Sequence, residues 1–295
     1  MAHSYGDEYK VGFKSAWLGI WSNLLLFIIK IFAGIVGRSQ AMIADAFHTA
    51  SDALTSVAVL VGFRIACRPA DKHHPFGHGR AESIAAKIVS LVLILIGLKI
   101  AYDSARILIA GDMTEPGGIA LVAAVISIVV KEFTYRYVIA ASSIIKSTSL
   151  RADARHHRSD VLSSVAALIG IAGARLGHPF MDPLAGIIVA GFIIKMGAGA
   201  FHEAYDELMD AAPPEELRKQ IEHFVMEVEG VDRIKKIMVR KAGIEFFIEI
   251  IIGVDGSKTV KEGHQITMKI KKNILSRMSG AKDVIVHVEP RGTTD

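Results

Sequence analysis

Six stretches of apolar residues, each near the length of a bilayer-spanning helix, constrain this chain more than any other feature. They cover residues 12–36, 41–66, 81–109, 118–141, 161–176 and 183–201. A hydrocarbon core about 30 Å thick takes roughly 20 apolar residues per helix. Lys30 lies inside the first stretch, and the second and fifth are the least apolar because their first turns carry Asp and His. Residues 1–10 are polar, without the apolar run of a signal peptide. The expected fold is therefore an α-helical membrane domain with six transmembrane helices.

Charge divides the chain. Residues 1–210 hold 19 Lys/Arg and 17 Asp/Glu, and the much shorter segment 211–295 holds 15 and 13. The reading is a membrane domain over 1–210 and a small soluble domain over 211–295, divided near Pro213-Pro214. With 51% hydrophobic residues the chain is not disordered. Its single cysteine, Cys67, forms no internal bridge, and its basic residues are interleaved with acidic ones, so no nucleic-acid partner is expected.

Loop charges orient the spans. With the amino terminus inside, the inner loops hold Arg64, Arg68, Lys72, Arg80, Lys146, Arg151, Arg155 and Arg158, and the outer loops only Arg38 and Arg175. That positive-inside bias sets both termini in the cytoplasm. The tail reads as helix, strand, strand, helix, strand. Pro213-Pro214-Glu215-Glu216 opens a helix. Residues 234–240 and 245–254 read as strands, 259–278 as a helix and 284–289 as a last strand.

The most informative motif is an internal repeat. Residues 45–52 read DAFHTASD and residues 153–160 read DARHHRSD, identical at five of eight positions. His48 and Asp52 lie four apart and share a helix face, as do His156 and Asp160. If those faces meet, two imidazoles and two carboxylates form an N2O2 set that suits tetrahedral zinc. It has no thiolate for soft metals, and its imidazoles disfavour magnesium and calcium. Ionisable groups inside a membrane are costly, which favours a functional role. For Asp45 and Asp153, at the start of each octad, two readings stand: second-shell or entry-path carboxylates, or acids solvated at a helix end.

The loop after the second span reads PADKHHPFGHGRAES, residues 69–83. Asp71, His74 and His78 offer a carboxylate and two imidazoles, Gly77 and Gly79 permit a tight fold, and His73 is a spare histidine. The competing reading is an ordinary histidine-rich surface loop. His287 and Glu289 lie two apart on the last strand and so share a face, and His264 on the preceding helix is a candidate to join them. Solvated strand-end residues are the alternative there.

Taken together, the paired octads, the PADKHHPFGHGRAES loop and the HVEP ending resemble the cation diffusion facilitator family of metal/proton antiporters over nearly the whole chain. The resemblance implies a transport site at His48, Asp52, His156 and Asp160, and an inner-loop site at Asp71, His74 and His78. It also implies a ferredoxin-like (αββαβ) cytoplasmic domain that senses metal and forms a homodimer. Arg80 and Asp210 fall where the family has a Lys–Asp charge interlock. Two-metal cytoplasmic sites in the family use four histidines and a bridging acid. Here only His264, His287 and Glu289 remain, with Lys235 and Ile251 at the other positions, so one metal or none is expected.

The function this implies is divalent-cation efflux across the inner cell membrane. Its substrates are protons and Zn2+, with Fe2+, Mn2+, Co2+ and Cd2+ as alternatives, and its setting is the lipid bilayer. Rival readings are a passive channel and a membrane-embedded metallohydrolase. The hydrolase needs an open coordination position and a catalytic base, yet the chain has no HExxH, and His202-Glu203 lacks the second histidine.

Overall fold

The structure, a computed structural model, describes the backbone of residues 2–144, 148–243 and 245–291, and their side chains except at 2–18, 56, 59, 141–157 and 159. Six long helices come first: α1 Ala2–Val36, α2 Gln40–Ala66, α3 Ala81–Ala110, α4 Gly118–Ile144, α5 Thr148–Arg175 and α6 Met181–Leu208. A helix–strand–strand–helix–strand tail follows: α7 Glu215–Met226, β1 Arg233–Ala242, β2 Glu245–Val254, α8 Val260–Arg277 and β3 Ala281–Pro290.

Among the described residues, five of the long helices are long and apolar enough to cross a membrane, namely α1, α2, α3, α4 and α6. The exception, α5, begins at Thr148, well before the apolar stretch at 161–176. Its first half holds Arg151, Asp153, Arg155 and Arg158, so helix forms there without an apolar signature. Its remaining 161–175 segment spans only about 22 Å at 1.5 Å per residue.

The chain divides into two compact units that do not follow its order. The first comprises Met1–Ala58 and Ile88–Phe201, the second Val59–Lys87 and His202–Asp295. The first packs through small side chains: Ala33, Ala41, Ala123, Ala124, Ala167 and Ala185 are buried together around Met42 and Ile171. Small residues let membrane helices approach closely. At Gly170 of α5 an added Cβ would lie 2.2 Å from that of Ala185 on α6. Ser39 caps α2 by accepting the Met42 N–H at 3.0 Å, and it donates to Asp182 at 2.5 Å, tying the start of α2 to that of α6. The outward surfaces expose large apolar residues such as Trp21, Phe32, Leu98 and Val129, as lipid contact requires.

In the second unit, β1 pairs antiparallel with β2, and β2 parallel with β3, in the order β1-β2-β3. One face of this sheet is covered by α7 and α8. Ile221, Val225, Ile248, Ile250, Ile266 and Ile270 form the core there. In α8 these buried positions recur at helical spacing, and a Thr259–Glu262 capping box starts the helix.

Candidate metal centres

In the first unit, α2 carries His48 and Asp52, one turn apart, and α5 carries Asp160. His48 Nε2 lies 3.6 Å from Asp160 Oδ1, and both side chains are almost fully buried. This is beyond hydrogen-bonding reach. Two ligand atoms on one tetrahedral zinc are about 3.4 Å apart, given metal–ligand distances near 2.0–2.2 Å, so the separation suits a shared cation. His48 Nδ1 is buried and meets no hydrogen-bonding partner among the described residues. Asp52 is half-buried. The side chains of His156 and Asp153 lie outside the described residues.

A polar network surrounds these residues. Asp45 is fully buried, not solvated, and pairs with Lys30 of α1, Nζ to Oδ2 at 2.7 Å. It also accepts from the hydroxyls of Ser163, at 3.0 Å, and Ser164, at 3.0 and 3.1 Å. The Ser163 hydroxyl is 2.9 Å from the Asp160 carbonyl as well, so Asp45 sits one hydroxyl away from Asp160. Lys131 of α4, also buried, donates to the same carbonyl at 3.3 Å. Sequence reasoning noted Lys30 but gave it no role, and it passed over Lys131. The available signal was the cost of a lysine within an apolar run.

In the second unit, Asp71, His74 and His78 converge. Their ligand atoms lie within 4.8 Å of one another, the only group of three or more His, Cys, Asp or Glu residues so gathered among the described residues. Asp71 Oδ1 is 3.3 Å from His74 Nδ1, and Oδ2 is 3.5 Å from His78 Nε2. Asp71 also accepts the backbone N–H groups of His74 and His73, at 2.7 and 2.8 Å. The His74 N–H above all, helped by that of His73, holds the Asp71 carboxyl below its ordinary range. Asp71 and His74 are exposed and His78 is half-buried, so solvent reaches the cluster directly.

The loop is fixed to the hairpin that joins β1 and β2. Phe76 meets Phe247 edge-on at 5.8 Å, and the Arg240 guanidinium lies over both rings. Gly79 presses so closely on this turn that a Cβ would come 2.5 Å from the Ala242 carbonyl oxygen. At the end of α6, Glu207 accepts the Gly243 N–H at 2.8 Å and pairs with Lys241 at 3.0 Å. Arg80 forms an ion pair with Asp210, both about two-fifths exposed.

On the sheet, His287 Nε2 is 3.6 Å from Glu289 Oε1, while Glu289 Oε2 is ion-paired with Lys235. Lys235 sits where the β1–β2 register shifts, and such an irregularity re-aims a side chain. His264 is exposed on α8 and does not form a three-ligand cluster with them among the described residues. Ile251 lies opposite His287 in the sheet and supplies no ligand.

Comparison with known proteins decides the family. Residues 16–209 match the cation efflux transmembrane domain, and residues 213–291 match the cytoplasmic domain of cation efflux proteins. The chain belongs to the cation diffusion facilitator family. Among similar family members is the manganese efflux system protein MneP of Bacillus subtilis, 33% identical over 96% of this chain and 98% of that protein. Metal tolerance protein C1 of Arabidopsis thaliana is 33% identical over 97% of this chain and 63% of its own length. Magnetosome protein MamM of Paramagnetospirillum magneticum is 31% identical over 95% of this chain and 88% of its own. A cation diffusion facilitator is a membrane transporter of metal cations and not an enzyme, so the metallohydrolase reading is set aside.

Proposed function

We propose that this chain exports a divalent transition metal, Zn2+ in the first place, from the cytoplasm in exchange for protons. The transported ion is held by His48, Asp52, His156 and Asp160. The observation that carries this reading is the 3.6 Å approach of His48 to Asp160 between two helices in a buried setting. In this reading α5 also crosses the membrane and brings the spans to six, residues 1–210 are the transport domain, and both termini face the cytoplasm from the inner cell membrane. Residues 211–295 form a ferredoxin-like domain that senses metal and dimerises. Asp71, His74 and His78 hold a second ion at the cytoplasmic surface. His264, His287 and Glu289 hold at most one.

Coupling follows from competition for the same atoms. An imidazole gives up its proton to bind a cation and a carboxylate binds ionised, so metal and proton exclude one another. Histidine is the side-chain type that changes charge between pH 5 and 8, which suits exchange against a physiological gradient. With the site open to the cytoplasm the tetrad takes the metal. Open to the other side, protons displace it, and helix groups rocking about the site complete the exchange.

Two nitrogen and two oxygen ligands favour zinc. The manganese efflux relative favours Mn2+ as the alternative, with Fe2+, Co2+ and Cd2+ next. The test is uptake by vesicles containing the purified protein, with a metal panel and with or without an imposed proton gradient. Zinc uptake that rises with the gradient supports the reading. Flux that ignores the gradient gives a passive channel.

A further inference from the structure

Lys30 is the most deeply buried basic side chain of the described residues that reaches the helices bearing the candidate transport ligands, and the transport reading leaves it without work. Its ammonium has three partners: Asp45 Oδ2 at 2.7 Å, Thr49 Oγ1 at 2.8 Å and Ser164 Oγ at 3.3 Å. An ammonium has three hydrogens, so the group is saturated and fixed. Its partners lie on α2 and α5. One carboxylate oxygen of Asp45 is thereby taken up by the lysine, and the serines engage both oxygens.

The position of Asp45 makes this occupation consequential. It precedes His48 by three residues on α2, close to the same helix face. Through Ser163 it is one hydroxyl from the backbone of Asp160. A carboxylate so placed is a ready additional ligand. Oxygen-rich, higher-coordinate sets suit Mn2+, whereas a four-ligand imidazole–carboxylate set suits Zn2+. Building on the transport-site reading above, we infer that Lys30 is a selectivity residue: a tethered cation that holds Asp45 out of the transported ion's ligand shell and so keeps that shell to His and Asp in equal number. Lys30 acts through Asp45 and is a positioning residue.

The experiment uses full-length protein in vesicles with Zn2+ and Mn2+ as the probes, reading the ratio of initial uptake rates and the KM for each ion. Lys30→Met keeps length and apolar bulk but removes the ammonium. It is expected to raise the Mn2+:Zn2+ ratio about tenfold, mainly through a lower KM for Mn2+, because the freed carboxylate adds an oxygen ligand. Lys30→Arg, which keeps the charge, is expected to restore the wild-type ratio. The double variant Lys30→Met/Asp45→Asn has a neutral pair and no carboxylate to release, so its ratio should stay within about threefold of wild type whatever its absolute rate. Losing one partner of a buried pair destabilises. If Lys30→Met does not fold, the double variant therefore decides. A folded Lys30→Met with the wild-type ratio overturns the inference, and so does a double variant whose ratio moves beyond that range. Asp160→Ala separates this outcome from failure of the transport site. Wild-type zinc flux there removes the site itself, while loss of flux with an unchanged Lys30→Met ratio removes only the role of Lys30.

Discussion

Two clusters of the same ligand types stand in opposite surroundings. In the membrane unit, His48 and Asp160 are nearly inaccessible, and the geometry is held by helices with Lys30 and Lys131 close by. In the second unit, Asp71 and His74 keep more than half of their side-chain surface in solvent, and the geometry is held by backbone N–H groups of the loop itself. Buried charges must be compensated inside the protein, whereas exposed ones are compensated by water and salt. The buried cluster is thus suited to an ion that leaves only when helices move or protons arrive. The exposed cluster is suited to an ion that equilibrates with solution. The contrast fits the proposed roles, with the transported ion in the first and a second, surface-bound ion in the second.

The sharpest way to break that contrast is to remove one carboxylate from each. Asp160→Ala should lower zinc flux by more than about 100-fold, beyond the 10–100-fold typical of groups that only support a ligand. Asp71→Ala should lower it a few-fold and leave proton coupling intact. Vesicle flux measured on both variants, with expression and melting temperature as controls, checks this. Equal losses would mean that the loop is part of the conduction path.

What the sequence disclosed follows from range. The six long helices and the five elements of the tail were legible because apolar runs and periodicity are local signals. The exception is the first half of α5, where helix forms over charged residues that carry no apolar pattern. The octads marked His48 and Asp160 as candidates because a repeat is visible in one chain. The pairing of Lys30 with Asp45 was not legible. Nothing local says that a lysine on α1 meets an aspartate on α2 and a serine 134 positions away. The same holds for Arg240 over Phe76 and Phe247, which fixes a loop to a hairpin far along the chain.

A third cluster, on the sheet, extends the comparison to a site with a cation already in it. Lys235 is paired with Glu289, and a like charge beside a metal site opposes the metal. Residues 211–295 can be studied alone, because the core beneath the sheet is drawn only from that segment. Calorimetry on this segment should give no more than one weakly bound Zn2+ per chain, and Lys235→Ala should tighten it about tenfold by removing that charge. Two tight ions per wild-type chain would refute the idea that Lys235 and Ile251 have replaced ligands.

Acid stability of the same segment is a smaller effect. Glu227 is held below its ordinary range by Arg277, Glu262 by the Thr259 N–H, and Asp283 by Lys271. A carboxyl with a lower pKa in the folded than in the unfolded state stabilises the fold above the unfolded value. That contribution is lost as pH falls through the folded value. Melting temperature should therefore stay level from pH 7 to 5 and fall below about pH 4, where unfolded carboxyls begin to protonate. Glu262→Gln should reduce the drop. A decline already between pH 7 and 5 would assign the dependence to groups other than these carboxylates.

The smallest effect is expected at Arg80 and Asp210, which lie in the same compact unit as the exposed cluster. The pair is about two-fifths exposed on both sides, and a pair of that kind contributes only about 0–1 kcal/mol. Any role in joining parts of the transporter must then appear in function more than in melting. Asp210 has φ +55°, a left-handed conformation that Asp and Asn tolerate better than Ala. Asp210→Ala would mix backbone strain with loss of the pair, so Asp210→Asn is the cleaner partner for Arg80→Ala. Each single variant should shift the melting temperature by less than about 4 °C, as expected for 1 kcal/mol in a large domain. Each should also lower transport, and the double variant should be little worse than either single one, since the second change removes a partner already lost. Strictly additive losses would leave Arg80 as a helix-end cation at the membrane surface and Asp210 as a turn residue, with no functional link between them.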